Sequence, residues 1–334
     1  MPATFPAPAA AGPAADAMPT ADDVRAAARR LRGVVRRTPL ERSDGLSRLA
    51  GADVHLKLET LQRTGSFKLR GAYNRLATLA ADDRARGVVT ASAGNHGLGV
   101  ALAARLLGLA AVVYVPADAP EVKRLRIARL GAELRPVPGG YDDAHAAAEA
   151  HAAETGACFV HPYSDAQTVA GQGTVGLEVF ADLPAVRTLL VPVGGGGLVN
   201  GIGLAARTLG AGVRLVGVQS EATAAMHASL AAGRLVRPPM PTTLCEGLSG
   251  ETDERSLALA RRLVDEVVLV SEAAVRRAIR WLYREEGIVA EGSAAVAAAA
   301  LLEGAVTGLE GQVAAVLTGS NLDPARLAVI VAEG

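Results

Sequence analysis

Aromatic residues are nearly missing from this 334-residue chain: they make up 3 % of it, with a single tryptophan. Stacking platforms for single-stranded nucleic acid are therefore excluded, and the core has to be built mainly from Ala, Val and Leu. Net charge is missing as well. The 34 Lys and Arg balance the 34 Asp and Glu, which leaves no electrostatic footprint for nucleic acid or an acidic membrane. Cysteine is limited to Cys158 and Cys245. Their spacing is not that of metal ligands, so packing is the expected role and no disulfide framework is indicated. No apolar run is long and pure enough to span a bilayer. Residues 1–20 are rich in Ala and Pro and lack a basic stretch ahead of an apolar one, which argues against a secretory signal and predicts a disordered tail. With no nucleic acid and no membrane partner indicated, a cytoplasmic enzyme is the default expectation.

What is present is an alternation of short apolar strands with helical segments. A helix is predicted over Ala21–Arg32, with Thr20 as N-cap and Asp22 and Asp23 in the first turn. Strands are predicted at Val54–Glu59, Gly87–Ala91, Ala111–Val115, Cys158–Val160, Thr188–Val193, Arg214–Val218, Glu266–Val270 and Val313–Leu317. Helices follow Lys68, fill the Ala/Leu-rich stretch ending near Gly108, and run from about Lys123 to Leu130. Strands alternating with helices imply βαβ units and mostly parallel sheets covered on both faces. No clear linker divides the chain, so a second domain has to be an excursion from the first.

Four segments carry chemistry. In Thr64-Gly65-Ser66-Phe67-Lys68-Leu69-Arg70-Gly71-Ala72 a lysine stands between a glycine-bearing turn and a helix start. A buried lysine is costly, and the same desolvation lowers its pKa and makes its amine a nucleophile able to form a Schiff base. Leu189–Val193 is followed by Gly194, Gly195, Gly196 and Gly197, then by a helix start. Backbone amides and the helix dipole make such a strand–glycine–helix unit an anion site, suited to phosphate. Gly195, Gly197 and Gly201, with Glu221 after the next strand, also resemble a dinucleotide fingerprint, although Asn200 stands where the third glycine belongs. Ser92-Ala93-Gly94-Asn95-His96-Gly97 joins a strand to a helix and can cradle a carboxylate. Asn95 adds a donor and an acceptor, and His96 is a candidate base or a packed structural residue. Thr318-Gly319-Ser320-Asn321 ends the last strand. In an open parallel sheet, ligands gather at the carboxyl ends of strands.

In this order and combination, Lys68 with Arg70-Gly71-Ala72, Ser92–His96, the tetraglycine and Thr318-Gly319 resemble the serine/threonine dehydratases, which are fold-type II pyridoxal-phosphate enzymes. The resemblance covers roughly Thr38 to the C-terminus. It implies an α/β fold of the tryptophan-synthase-β type, with two three-layer domains and mostly parallel sheets. Residues 21–62 and 165–334 would form the large cofactor-binding domain, and residues 63–164 the small one. It also implies that Lys68 is the catalytic residue and forms the Schiff base with pyridoxal 5′-phosphate. Phe67 would pack on the cofactor ring, Asn95 would contact its hydroxyl, Gly194–Gly197 would bind its phosphate, and Thr318 would face its ring nitrogen. Ser92, Ala93, Gly94, Asn95 and His96 would hold the substrate carboxylate.

The implied reaction is dehydration and deamination of L-threonine or L-serine to a 2-keto acid and ammonia, with Lys68 removing the α-proton. Serine racemases resemble the chain but have serine at the position of Ala93, and alanine cannot transfer a proton. Their acidic cation site is matched here by Gln219, Thr223 and Ala225, so no metal centre is expected. The lack of a C-terminal regulatory domain in this sequence points to a degradative short form. Leu244–Leu248 and Ala290–Ala294 depart from the family pattern, which keeps a specialised 3-hydroxy amino acid open as substrate. The resemblance suggests a homodimer or homotetramer. A nicotinamide dehydrogenase and a non-catalytic binding protein remain as alternatives from other classes.

Overall fold

The computed structural model describes residues 18–210 and 212–333, so the tail expected over residues 1–20 lies almost wholly outside the described residues. The described chain builds two sheets. Strands β1 (Leu40–Arg42), β2 (Asp53–Leu58), β7 (Val186–Pro192), β8 (Arg214–Ser220), β9 (Glu266–Val270) and β10 (Gln312–Leu317) form a six-stranded sheet in the order β1-β2-β10-β7-β8-β9. Strands β3 (Val88–Ala91), β4 (Ala111–Pro116), β5 (Glu133–Val137) and β6 (Cys158–Phe159) form a four-stranded sheet in the order β5-β4-β3-β6. The β1–β2 pair is antiparallel and every other pair is parallel. Each sheet is the heart of one domain.

The central strands are apolar on both faces, because both faces are covered. In β7 and β10, Leu190, Val313, Ala315 and Leu317 point into one core, which the helices Glu272–Glu285 and Gly292–Leu302 complete. Leu189, Val191, Ala314 and Val316 point to the other, against the helices Ala21–Leu31, Ala166–Asp182 and Gly197–Thr208. The small sheet is covered likewise. Val88, Val113 and Val115 pack with helices Lys68–Ala77 and Asn95–Leu107, and Val89, Ala91 and Tyr114 with helix Tyr141–Thr155. Cys158 and Cys245 are both free.

The predicted strands are all found, with ends moved by up to two residues. The helix predicted after Lys68 runs from Lys68 to Ala77. The predicted N-cap is correct: Thr20 accepts from the Asp23 amide, and the Asp23 carboxylate returns the bond in a capping box. Strands β1 and β5 were not anticipated. Both are edge strands, where polar residues and proline replace the apolar pattern; β5 reads Glu-Leu-Arg-Pro-Val.

Candidate active site

Lys68 opens the helix Lys68–Ala77. The residues before it are fastened to the end of β10. Phe67 donates its amide to the Thr318 carbonyl at 3.1 Å, Ser320 donates to the Gly65 carbonyl at 2.8 Å, and Ser66 pairs with Gly319 in an antiparallel bridge. Gly65 takes a φ of +74° at this point, a conformation that excludes most side chains. A Cβ on Gly319 would lie 2.6 Å from a Glu291 carboxylate oxygen. The turn that leads into the predicted lysine is thus fastened to the segment that carries the predicted hydroxyl, at the carboxyl end of the large sheet.

Below the lysine lies a buried charge cluster. The Arg70 guanidinium, fully buried, pairs with Glu59 at 2.7 Å and Glu178 at 2.7 Å, and Lys57 pairs with Glu178 at 2.7 Å. Breaking a buried pair by deleting one partner strands the other charge. The cluster therefore holds Arg70, and the helix turn that also carries Lys68, in one place.

The Lys68 amine donates to the Pro162 carbonyl at 3.0 Å and lies 5.3 Å from the centre of the Phe67 ring. Desolvation pulls its pKa down to about 8, partly opposed by the nearby Glu291 carboxylate. Close to half of such a group is the free, nucleophilic amine near that pH.

The glycine loop Gly194–Gly197 runs from β7 into the helix Gly197–Thr208, with Gly196 at φ +103°. Glycine is required by close approach. A Cβ on Gly195 would lie 2.5 Å from the Tyr163 ring, and one on Gly197 would lie 2.9 Å from the Tyr163 backbone. Among the described residues, none accepts from the amides of Gly194, Gly195 or Gly196. These donors, at a helix start, are suited to a phosphate. Tyr163 adjoins Pro162, the acceptor for Lys68, so the lysine and the glycine loop share a wall.

Asn95 is the first residue of the helix Asn95–Leu107, at the end of β3. Gly97 lets that helix start tightly, since a Cβ there would lie 2.2 Å from the Ser92 carbonyl, and a Cβ on Gly99 would press on the Lys68 backbone at 3.1 Å. Ser92 turns its hydroxyl to the Gly94 amide at 3.1 Å. Ala93 is half-buried against the small-domain core. His96 is buried, with Nε2 2.9 Å from the Val160 carbonyl. That contact makes Nε2 the donor and leaves Nδ1 unprotonated. Burial, with the neighbouring Lys68 charge, lowers the His96 pKa to about 3, so the ring is neutral. A ring fixed this way packs and hydrogen-bonds, and supplies no mobile proton from Nε2.

Thr318 is buried, and its hydroxyl reaches the Ser293 carbonyl at 3.5 Å. Ser320 turns its hydroxyl to the Thr60 carbonyl at 3.0 Å. Gln219 donates to the carbonyls of Val193, at 3.1 Å, and Thr223, at 2.6 Å, and accepts from the His227 amide at 2.8 Å. Its carboxamide thus braces the residue that precedes the glycine loop. Among the described residues, no three His, Cys, Asp or Glu side chains cluster as metal ligands would.

Sequence reasoning left four contributors without a role. Glu291 accepts from Asn95, Asn321 donates to Asn95, and Pro162 and Tyr163 wall the lysine and the glycine loop. The signal for the last two was their position just after β6, at the carboxyl end of a parallel strand. Asn200, where a dinucleotide fingerprint expects glycine, is buried and donates to the Ser256 carbonyl at 3.0 Å.

Comparison with known proteins converges on one family. The model of the family described as pyridoxal-phosphate-dependent enzymes matches residues 31–319. An L-threonine ammonia-lyase of Thermotoga maritima is 43 % identical over 319 residues, covering 95 % of this chain and 79 % of that protein. The solved processed form of threonine deaminase isoform 2 from Solanum lycopersicum superposes with a TM-score of 0.87 at 32 % identity, covering 92 % of this chain and 85 % of that one. Maize serine racemase superposes with a TM-score of 0.90 at 30 % identity, covering 94 % and 97 %. The family match spans every predicted site residue from Phe67 to Thr318, so this chain belongs to the pyridoxal-phosphate-dependent enzymes and takes pyridoxal 5′-phosphate as its cofactor.

Proposed function

We propose that the enzyme is an ammonia-lyase that eliminates the β-hydroxyl of L-threonine and L-serine, releasing a 2-keto acid and ammonia. The observation that carries this reading is the desolvated Lys68 amine, anchored to the end of β10 beside Thr318. The relatives named for threonine support the substrate class. Membership of this family removes the nicotinamide dehydrogenase alternative.

The residues present fit the cofactor. The unpartnered amides of Gly194–Gly196 and the crowded glycine cradle suit its phosphate, and the Lys68 amine suits its aldehyde. Thr318 offers a neutral hydroxyl to the ring nitrogen, Phe67 an apolar face, and Asn95 an amide. When bound, pyridoxal phosphate takes up the electron pair left at the substrate α-carbon.

The chain supplies the rest. The loop Ser92–His96, at the start of a helix, would hold the substrate carboxylate through the amides of Ala93, Asn95 and His96, since those of Ser92 and Gly94 already donate to the Tyr114 carbonyl and the Ser92 hydroxyl. Lys68 would accept the α-proton on Nζ. The β-carbon–oxygen bond would then break, and the proton taken from the α-carbon balances the hydroxide, so that one water is lost. The released unsaturated amine adds water and yields the 2-keto acid and ammonia. Ala93 has no proton to exchange, which favours elimination over racemisation.

The same reading sets the small domain at residues 63–164 and the large domain at residues 21–62 and 165–334. It includes a homodimer or homotetramer and a cytoplasmic location. No helix among the described residues is long and apolar enough to cross a membrane.

The test is 2-keto acid release from L-threonine, L-serine and bulkier 3-hydroxy amino acids. Turnover of threonine or serine is expected; turnover of a bulkier substrate alone would move the enzyme to a specialised pathway. Lys68→Ala is expected to abolish turnover and the borohydride-stable cofactor adduct. An adduct persisting at the same site would sink the lysine assignment.

A further inference from the structure

The Asn95 amide is gripped at both ends by the large domain. Its Oδ1 accepts from Asn321 Nδ2 at 2.6 Å, and its Nδ2 donates to Glu291 Oε1 at 2.6 Å. A carboxamide has one accepting end and one donating end. Flipping it would set two NH2 groups against each other at Asn321, whose own orientation is fixed by Arg126 and Thr64. One orientation survives. Glu291 uses one of the two Nδ2 hydrogens, and the other is left for a ligand.

Asn321 is itself locked. Its Oδ1 accepts from Arg126 Nη2 at 2.7 Å, and its Nδ2 donates also to the Thr64 carbonyl at 2.9 Å. Arg126 lies on the small-domain helix Glu121–Ala128, and Thr64 precedes Lys68 by four positions. The side chain therefore joins three parts: the approach to the lysine, the asparagine loop and the mouth of the cleft. A Cβ on Gly65 would lie 2.8 Å from the Asn321 oxygen, so it is glycine that lets the amide sit against that turn.

We infer that Asn321 is a positioning residue that orients Asn95 toward the cofactor, and that its bond to Arg126 makes this orientation and the closure of the two domains a single event. The inference rests on the assignment of Asn95 to the cofactor. It reaches further, because it gives an element of the large domain control over a small-domain group.

The experiment is a double-mutant cycle on the holoenzyme with Asn321→Ala, Asn95→Ala and the pair. The readouts are the pH midpoint of the visible band of the lysine-bound cofactor, kcat, and KM for L-threonine. Asn321→Ala is expected to keep the borohydride-stable adduct, shift the midpoint and lower kcat roughly tenfold, the effect of one lost buried hydrogen bond. In the Asn95→Ala background the same change is expected to add nothing, because its target is gone. Independent, additive shifts would overturn the inference, as would a change in Tm with band and kcat untouched. Arg126→Met, which removes only the cleft-mouth bond, is expected to reproduce part of the shift; an unaltered band and kcat would overturn the link to closure. An unshifted band in Asn95→Ala alone would instead defeat the cofactor role of Asn95, and the inference with it. Absence of any visible band in the unmodified protein would defeat the cofactor reading as a whole.

Discussion

Burial moves two side chains of the site toward neutrality from opposite sides. Desolvation lowers the Lys68 amine to about 8 and raises the Glu291 carboxyl to about 7. The hydrogen bond from Asn95 opposes the second shift without cancelling it. For Glu291 the unfolded chain releases its proton near the ordinary value of 4.5, while the folded chain keeps it until about 7. Between those values the folded state binds more protons, so its stability falls as the pH rises through that window. Glu291→Gln removes the titration and is expected to gain stability relative to the unmodified apoprotein between about pH 5 and about pH 8. Thermal midpoints of both proteins at the two pH values test this; an unchanged difference would show a carboxyl that titrates normally. Glu291 was visible in the sequence only as part of a departure from a family pattern. Its partner is 196 positions away, so its role depends on which loops meet across the cleft.

At the scale of elements, the glycine loop is the site's most demanding piece of backbone. Gly195→Ala would drive a methyl group to 2.5 Å from the Tyr163 ring. Overpacking of that kind costs about 1–3 kcal/mol, and it would be felt as roughly tenfold weaker cofactor retention. Gly140→Ala, where a methyl group meets open space, is the control. Cofactor remaining after dialysis measures both, and equal retention would mean that the loop has slack. This loop, the Lys68 turn and the asparagine loop were legible in the sequence because each joins a strand end to a helix start through glycine. Strands β7 and β10 were legible for a related reason, as runs of Val, Leu and Ala buried on both faces. Strand β1, three residues long, and strand β5, carrying Pro136, were not, since edges obey hydrogen bonding more than apolar pattern. Asn321 stood in the Thr318–Asn321 motif and Pro162 only followed a predicted strand, and the bond from Lys68 to Pro162 spans 94 positions, a contact that sequence spacing does not reveal.

The whole molecule is two sheets that meet over the lysine, and charged residues at the cleft mouth tie them together. Lys123 of the small domain pairs with Glu246 at 2.7 Å, and Arg326 pairs with the other oxygen of Glu246 at 2.7 Å. These side chains are between 30 % and 50 % exposed, so each pair is open to screening by salt. Exposed pairs of this kind contribute about 0.2–1 kcal/mol each. Glu246→Gln is therefore expected to raise KM for L-threonine about two- to fivefold at low ionic strength. At high salt the two proteins should converge. Equal KM values at low salt would show that the cleft closes without this tie. The topology has a further consequence, for synthesis. Among the described residues strand β10 comes last of the ten strands, yet it lies between β2 and β7 in the middle of the large sheet. On the ribosome, Lys68 emerges long before the segment that anchors it, and β2 and β7 wait with open edges. A chain terminated ahead of Gln312 has neither a joined sheet nor a fixed lysine. The reactive amine is set in place only after the segment from Gln312 onward has emerged, and cofactor loading has to wait for it.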